Sequence, residues 1–297
     1  MNHDIKRKES VVINFLIIIQ ELMKKVAVII LNYNSWRETL SEITICAKVL
    51  NMNYKDIIVV DNASPNDSAL NLKKESGEKG FIFLQSKENK GYSSGNNIGL
   101  RYAYDNKYEY ALILNNDILF DDKMLVEKML DIFSKNNHIA VVNTDVFSPD
   151  GHMFNRDAKK PTFFDYTLGS LMYRKRGRLI EDLGGYAYIY RPQGCCMMVD
   201  LNKMNEIDYM DEHTFLYFEE PILAERLLKK NYRCALCTTS KIIHNHSTTI
   251  NSTMDRRKRR HVVHKSFRYY LREYRNFSTL QINICIFLNC LKMLVEQ

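Results

Sequence analysis

The sequence predicts an α/β fold built on an open, mostly parallel sheet with helices packed on its faces. Three observations carry this. Short apolar runs rich in β-branched residues recur as "VAVIIL" (26–31), "DIIVV" (56–60) and "YALIL" (110–114). Segments with apolar residues at helical spacing separate them. Three such runs close on polar clusters, Asn32-Tyr33-Asn34, Asp61-Asn62 and Asn115-Asn116-Asp117. In sheets of this kind, ligands bind beyond the carboxyl ends of the strands.

The elements follow in order. "VAVIIL" reads as a strand buried on both faces. Asn34 or Ser35 caps the next helix, whose Trp36, Leu40, Ile43, Ala47 and Leu50 share one face. "DIIVV" ends in the turn-rich "DNASPNDS", and "FIFL" (81–84) is a third strand. The glycine-rich "NKGYSSGNNIGL" leads into a helix. "YALIL" runs into the opening of "NNDILF", after which Asp121 and Asp122 suit a helix N-terminus. "IAVV" (139–142) and "CCMMV" (195–199) are further strands, and residues 151–192 read as a variable loop with a small hairpin. Pro221 fits a first helical turn, placing Glu219 and Glu220 at the helix's N-terminal edge. "RCALC" reads as a strand and "KIIHNHSTT" as a loop.

Both ends of the chain differ from this middle. The run "VVINFLIII" (11–19) is too short to span a bilayer, which takes about 20 residues. Basic residues before it are compatible with a signal peptide, but no small-residue cleavage site follows cleanly, and "MKKVAVIILNYN" from Met23 looks like a natural start. Residues 1–22 are therefore expected to be a weakly structured extension, with a short amphipathic membrane anchor as the alternative. Residues 23–250 are expected to form the main domain and 251–297 a helical tail, basic at 255–276 and then apolar.

A formal charge of +7 favours an anionic partner, whether nucleotide, phospholipid surface or nucleic acid. Seven scattered cysteines read as reduced thiols in a cytosolic compartment. Cys234, Cys237, His244 and His246 lack zinc-finger spacing, and Cys234 and Cys237 would face opposite sides of a strand. The basic tail contains no recognisable nucleic-acid motif, so no nucleic-acid partner is expected. It fits a solvated helical face, or peripheral contact with an anionic membrane.

Two carboxylate sets carry candidate chemistry. Magnesium bound to phosphates takes only one or two protein carboxylates, and Asp117 at a strand end suits that task. Asn115 and Asn116 could orient waters or a sugar; a simple turn cap explains Asp117 equally well. In the pair Glu219–Glu220, mutual repulsion raises one pKa, which suits a general base, though acidic first turns are common. His244 and His246 are candidate metal ligands or phosphate donors. Asp61 could accept from a pyrimidine or ribose, and Tyr33 could stack on a base.

Together, from about Val26 to about Asn276, these segments resemble family 2 glycosyltransferases of the GT-A fold. The likeness is to the rhamnosyltransferase-like branch of bacterial polysaccharide synthesis. "VIILNYN" is similar to the first strand and nucleotide loop, which implies donor contacts for Asn32, Tyr33 and Asn34. "IIVVDNAS" resembles the segment whose acid contacts the nucleobase, here Asp61. "NKGYSSGNNIGL" resembles the segment beside the diphosphate, giving Lys90, Gly91 and Asn96 donor-side roles. "LILNNDIL" looks like a DxD metal motif, with Asp117 the ligand of Mg2+ or Mn2+ and Asn115 and Asn116 beside the donor. "MDEHTFLYFEEPILAERL" resembles the segment carrying the base, which maps to Glu220, with Glu219 and Asp211 as its companion acids. "IIHNHS" resembles the segment that supplies a histidine to the metal or diphosphate, His244 aligning best.

The resemblance implies an inverting, metal-dependent transfer from a UDP- or dTDP-sugar to a glycan or lipid-linked acceptor. The setting would be capsule-type polysaccharide synthesis at the cytosolic face of a membrane. Two departures stand out: Asn115 replaces the first acid of the metal motif, and Glu220-Pro221 replaces the branch's usual pairing. The first motivates a competing reading, a non-catalytic binder of sugar nucleotide or glycan that supports another transferase. A nucleotidyltransferase is the third reading, although its glycine-rich, basic phosphate signature is absent near the N-terminus.

Overall fold

A computed structural model describes residues 26–153, 155–167, 179–245 and 255–295, with side chains to 291. The N-terminal extension and His246 lie outside the described residues. The first half alternates strand and helix: β1 (Val26–Asn32), α1 (Trp36–Val49), β2 (Ile57–Asp61), α2 (Ser68–Lys79), β3 (Ile82–Gln85), α3 (Tyr92–Asp105) and β4 (Tyr110–Leu114). Then come β5 (Ile118–Leu119), α4 (Leu125–Lys135), β6 (Ile139–Phe147), α5 (Phe163–Tyr166), β7 (Tyr186–Ile189), β8 (Cys196–Asp200) and α6 (Leu201–Glu206). The chain closes with α7 (Glu219–Lys229), β9 (Arg233–His244), α8 (Arg256–Glu273) and α9 (Thr279–Val295).

The strands form one sheet in the order β3-β2-β1-β4-β8-β6-β9-β5, with β7 also pairing β9. The block β3-β2-β1-β4 is parallel. From β8 onward the sheet is mixed: β8 runs antiparallel to both β4 and β6, while β6 and β9 are parallel. The expected parallel sheet thus holds for the N-terminal half, and antiparallel pairing completes the other.

Successive residues of each buried strand feed opposite layers, as the two-residue period requires. Val26, Val28 and Ile30 join Ile43, Leu112, Met129 and Phe133 in one layer. Ala27 and Ile29 join Leu100, Ala103, Leu223 and Leu227 in the other. Cys234 and Cys237 fall in opposite layers. A third cluster, with Ile222, Phe267, Tyr270, Leu271, Ile282 and Cys285, fastens α8 and α9 to the start of α7.

One expectation is corrected. "KIIHNHSTT" was expected to be a loop, yet β9 continues as strand through His244. Ser240, Ile242 and His244 are buried while Lys241 and Ile243 are exposed, a half-buried strand's alternation. Irregular register near Thr144–Asp145 lets the strand resume against β6, and β5 pairs its far side.

Candidate active site

The ends of β1 and β2 meet in register at Asn32 and Asp61, both fully buried. Asn32 Nδ2 donates to Asp61 Oδ1 at 2.7 Å. Ser64 donates to the same carboxylate twice, through Oγ at 2.6 Å and its backbone N–H at 3.0 Å, and Ser64 Oγ accepts the Asn34 N–H. Thr39 Oγ1 donates to Asn32 Oδ1 and accepts from Asn116 Nδ2, both at 2.8 Å. Asn116 Nδ2 also lies 2.8 Å from Ser35 Oγ. Asn32, Asp61 and the amide nitrogen of Asn116 therefore hold the strand-end loops to one another. Tyr33 follows half-buried, and Asn34 takes a left-handed backbone (φ 62°). The Asn34 Oδ1 atom is buried with no hydrogen-bond partner among the described residues.

The loop before α3 is tied to these ends. Asn62 Nδ2 donates to Asn89 Oδ1 and to the Gly91 carbonyl, both at 3.1 Å. Gly91 has φ +105°, and a Cβ there would lie 2.0 Å from the Phe215 carbonyl oxygen. That oxygen accepts the Tyr92 N–H at 2.9 Å. Gly91 thus lets the loop before α3 touch the segment leading to the glutamate pair. Lys90 is exposed and pairs with Glu88, while Asn96 is buried and donates to the Tyr92 carbonyl.

Asp117 and His244 are brought together by the short β5. Pairing Ile118 with His244 sets His244 Nε2 3.2 Å from Asp117 Oδ1. No group of three or more His, Cys, Asp or Glu able to hold a metal occurs among the described residues. A carboxylate and an imidazole still fit a divalent ion that takes its other ligands from phosphate and water. Behind them lies Glu42 on α1, only 2% exposed, which sequence reasoning missed. Burial first, then the Asp117 charge, push its carboxyl up to about 9. The available signal was an acid among Thr39, Ile43 and Cys46 on the helix's buried side.

Glu219 and Glu220 begin α7, after two successive left-handed residues, Tyr217 (φ 71°) and Phe218 (φ 68°). Non-glycine residues rarely take this backbone, so the entry to α7 is locally strained. Glu219 is 6% exposed, and burial followed by repulsion from Glu220 pushes its carboxyl up to about 8. Glu220 is half-buried, and its Oε1 accepts the Gly194 N–H at 3.2 Å. The Tyr92 hydroxyl donates to the Gly194 carbonyl at 2.7 Å. Burial and the nearby Glu220 raise that phenol far above its usual range, keeping it a donor.

The short 193–196 segment, also missed in the sequence, joins the two acidic centres. Gly194 holds Glu220, and the next residue, Cys195, accepts the Asn115 N–H at 2.9 Å. Buried Asn143 of β6 clamps the segment by accepting the Gln193 N–H and donating to the Gln193 and Cys196 carbonyls. Asp211 sits elsewhere in this web. Its carboxylate accepts from the His213 N–H, from Tyr269 at 2.9 Å and from Tyr274, with His213 Nδ1 2.7 Å away. Burial opposes its ionisation, but these hydrogen bonds outweigh it and hold the group below the ordinary carboxylate range. Its oxygens tie the 211–213 loop to α8 and the turn after it, which gives this companion acid a positioning role in the fold.

Comparison with known proteins agrees with this architecture. The profile of the family described as "Glycosyl transferase family 2" matches residues 27–198. The low-salt glycan biosynthesis hexosyltransferase Agl10 of Haloferax volcanii is 26% identical over 231 residues, covering 76% of this chain and 69% of that protein. The mannosyltransferase PcManGT of Pyrobaculum calidifontis, solved with GDP-Man and Mn2+, superposes with a TM-score of 0.57 at 11% identity. That match covers 89% of this chain and 68% of that one. GalNAc-T7, solved with UDP, GalNAc and Mn2+, gives 0.55 at 13% identity. It covers 75% of this chain, which spans only 44% of that longer one. With more than half of its length matched, from the first strand through the segment that joins the acidic centres, the chain belongs to glycosyl transferase family 2.

Proposed function

We propose that the chain is an inverting hexosyltransferase that moves a sugar from a nucleoside diphosphate to a hydroxyl of a glycan or lipid-linked acceptor. The observation that carries this reading is the 193–196 segment, which sets the Asp117 turn and the Glu220 carboxylate on one clamped piece of backbone. The hexosyltransferase relative and the two nucleotide-bound structures support the substrate class. UDP- or dTDP-sugars are the favoured donors.

Asp117 and His244 would hold Mg2+ or Mn2+ against the donor diphosphate, with Asn115 alongside. When bound there, such an ion would supply charge neutralisation for the departing nucleoside diphosphate. Asn34, through its unpartnered Oδ1, receives a donor group of the base or ribose, on a floor set by Asn32 and Asp61 with Tyr33 beside it. Glu220 takes the acceptor hydroxyl's proton as its oxygen attacks the anomeric carbon, while the bond from that carbon to the phosphate oxygen breaks. Single displacement from the opposite face inverts the configuration. Glu219, buried and protonated at neutral pH, keeps a second charge away from that base. The proposed setting is cell-surface polysaccharide synthesis at the cytosolic face of a membrane.

A panel of UDP-, dTDP- and GDP-sugars, with Mg2+ or Mn2+ and then EDTA, tests this through released nucleoside diphosphate. Metal-dependent turnover of one donor, lost in Asp117→Ala and Glu220→Gln, is expected. Pyrophosphate release would instead identify a nucleotidyltransferase. Donor binding by thermal shift, without turnover even when acceptor glycans are added, would identify the non-catalytic partner.

A further inference from the structure

The helices α8 and α9 lie side by side and antiparallel. Arg268 donates to Asn283 Oδ1 at 3.1 Å, and His264 lies 3.7 Å from Cys290 Sγ. Each helix turns one row inward: Phe267, Tyr270 and Leu271 on α8, Ile282 and Cys285 on α9. Each therefore turns another row outward.

The outer row of α8 is His261, Lys265, Arg268 and Arg272, spaced i, i+4, i+7, i+11 and all exposed. The outer row of α9 has the same spacing and the opposite chemistry. It consists of Leu280, Ile284, Phe287 and Leu291, at 70%, 38%, 63% and 43% exposure. An apolar row this exposed, running the length of a helix, is unusual on a water-facing surface. It lies against a cationic row, joined to it by the Arg268–Asn283 bond. The α8 segment carries eight lysines and arginines against one glutamate, a net of +7 that equals the formal charge of the whole chain. The remainder is electrically balanced, so the charge is concentrated on this one helix.

We infer that the outer face of the α8–α9 hairpin seats the protein on an anionic lipid leaflet. The α9 row enters the boundary between headgroups and acyl chains, and the α8 row lies among the lipid phosphates. Among the described residues no helix is long and apolar enough to cross a membrane, so this contact is peripheral. The same α8 row, His261, Lys265, Arg268 and Arg272, also lines a cavity of about 290 Å³ shared with His213 and Phe215. Phe215 is the residue whose carbonyl meets Gly91 and Tyr92, four positions before Glu219. Seating on this face brings the cavity to headgroup height beside the glutamate pair. The inference rests on the proposed transferase reading only for this last point and sharpens it, favouring a lipid-linked acceptor over a soluble glycan.

The test is flotation of the full chain with vesicles of phosphatidylcholine, alone or with phosphatidylglycerol, at low and high salt. Nucleoside diphosphate release is measured separately without vesicles. The chain should float with phosphatidylglycerol vesicles at low salt and be released by high salt. Replacing Lys265, Arg268 and Arg272 together by serine should weaken binding on the order of a hundredfold, from about 1 kcal/mol per cation near such a surface. Phe287→Glu should weaken it about tenfold or more by removing the most exposed aromatic anchor. Phe287→Glu, which lies outside that cavity, should leave donor turnover in solution unchanged, so failure of this inference and failure of the transferase reading separate cleanly. Absence of flotation at low salt overturns the inference, as does flotation that neither variant weakens. A dimer in solution that Phe287→Glu converts to monomer also overturns it, since the apolar row would then bind a second copy.

Discussion

Gly91→Ala offers a sharp test of how the loop before α3 meets the segment that carries the glutamates. Two costs can be separated. Gly91 has φ +105° and ψ −174°, a region essentially closed to side-chain-bearing residues, and holding alanine there costs about 1–3 kcal/mol. The new Cβ would also lie 2.0 Å from the Phe215 carbonyl oxygen and 2.6 Å from its carbonyl carbon and Cα. These are backbone atoms that cannot rotate away, so the loops must part, adding about 1–3 kcal/mol. The sum is about 2–6 kcal/mol. At about 2–4 °C per kcal/mol for a large domain, the melting temperature should fall by about 4–24 °C, centred near about 10 °C. Gly80→Ala is the internal control. Gly80 also has positive φ (+86°), but nothing lies within 4 Å of its Cβ position, so it should cost only about 1 kcal/mol. Thermal and urea unfolding of both variants give the comparison. Parting the loops also lengthens the Tyr92 N–H to Phe215 bond, so Gly91→Ala should lose donor turnover below its melting temperature while Gly80→Ala retains it. If Gly91→Ala is no less stable than Gly80→Ala, the close approach at Phe215 is wrong.

Three further outcomes follow from the same geometry. The Glu219 carboxyl is raised by burial and by Glu220 to about 8, so between about 4.5 and 8 the unfolded chain binds fewer protons than the folded one and stability falls as pH rises. Glu219→Gln should remove a slope of about 1.4 kcal/mol per pH unit, read from urea midpoints between pH 5 and 8; parallel curves for the two proteins would refute the burial argument. Asp211 is held low by hydrogen bonds that overcome its burial, so its stabilisation is present above the ordinary aspartate range and is lost as pH falls through its lowered pKa. Asp211→Ala should cost about 2–4 kcal/mol, by freeing the loop from Tyr269 and Tyr274, and should blunt the loss of stability in acid; unchanged acid unfolding would count against the tether. His244→Ala should abolish the part of the nucleotide-induced thermal shift that depends on Mn2+ while leaving the metal-free melting temperature within a few degrees, and an unaltered Mn2+ response would remove His244 from the ion's ligands.

Much of this protein could be read before any coordinates. The parallel block was legible because buried parallel strands are continuous apolar runs, and "VAVIIL", "DIIVV" and "YALIL" are that in one dimension. The start of α7 was legible too, because an acidic pair followed by proline is a local signal of a helix N-terminus. The antiparallel half was less so. Residues 151–192 lack periodicity, and "KIIH" becomes strand only because β5 and β6 supply partners on either side. Within the candidate site, the sequence pointed to Asp117 and His244 separately, but their 3.2 Å approach depends on pairing residue 118 with residue 244.

The sequence by itself determined which elements form and which residue types stand at the strand ends, since strand, helix and cap preferences act over a few neighbouring residues. Tertiary structure alone decided how those residues are used. It drew Asn116 onto Ser35 and Thr39, turned Asp211 toward the C-terminal helices, and buried Glu42 behind the Asp117 turn. It also made Gly194 and Cys195 the bridge between the two acidic centres. Burial and long-range hydrogen bonding set these assignments, and both depend on what arrives from distant parts of the chain.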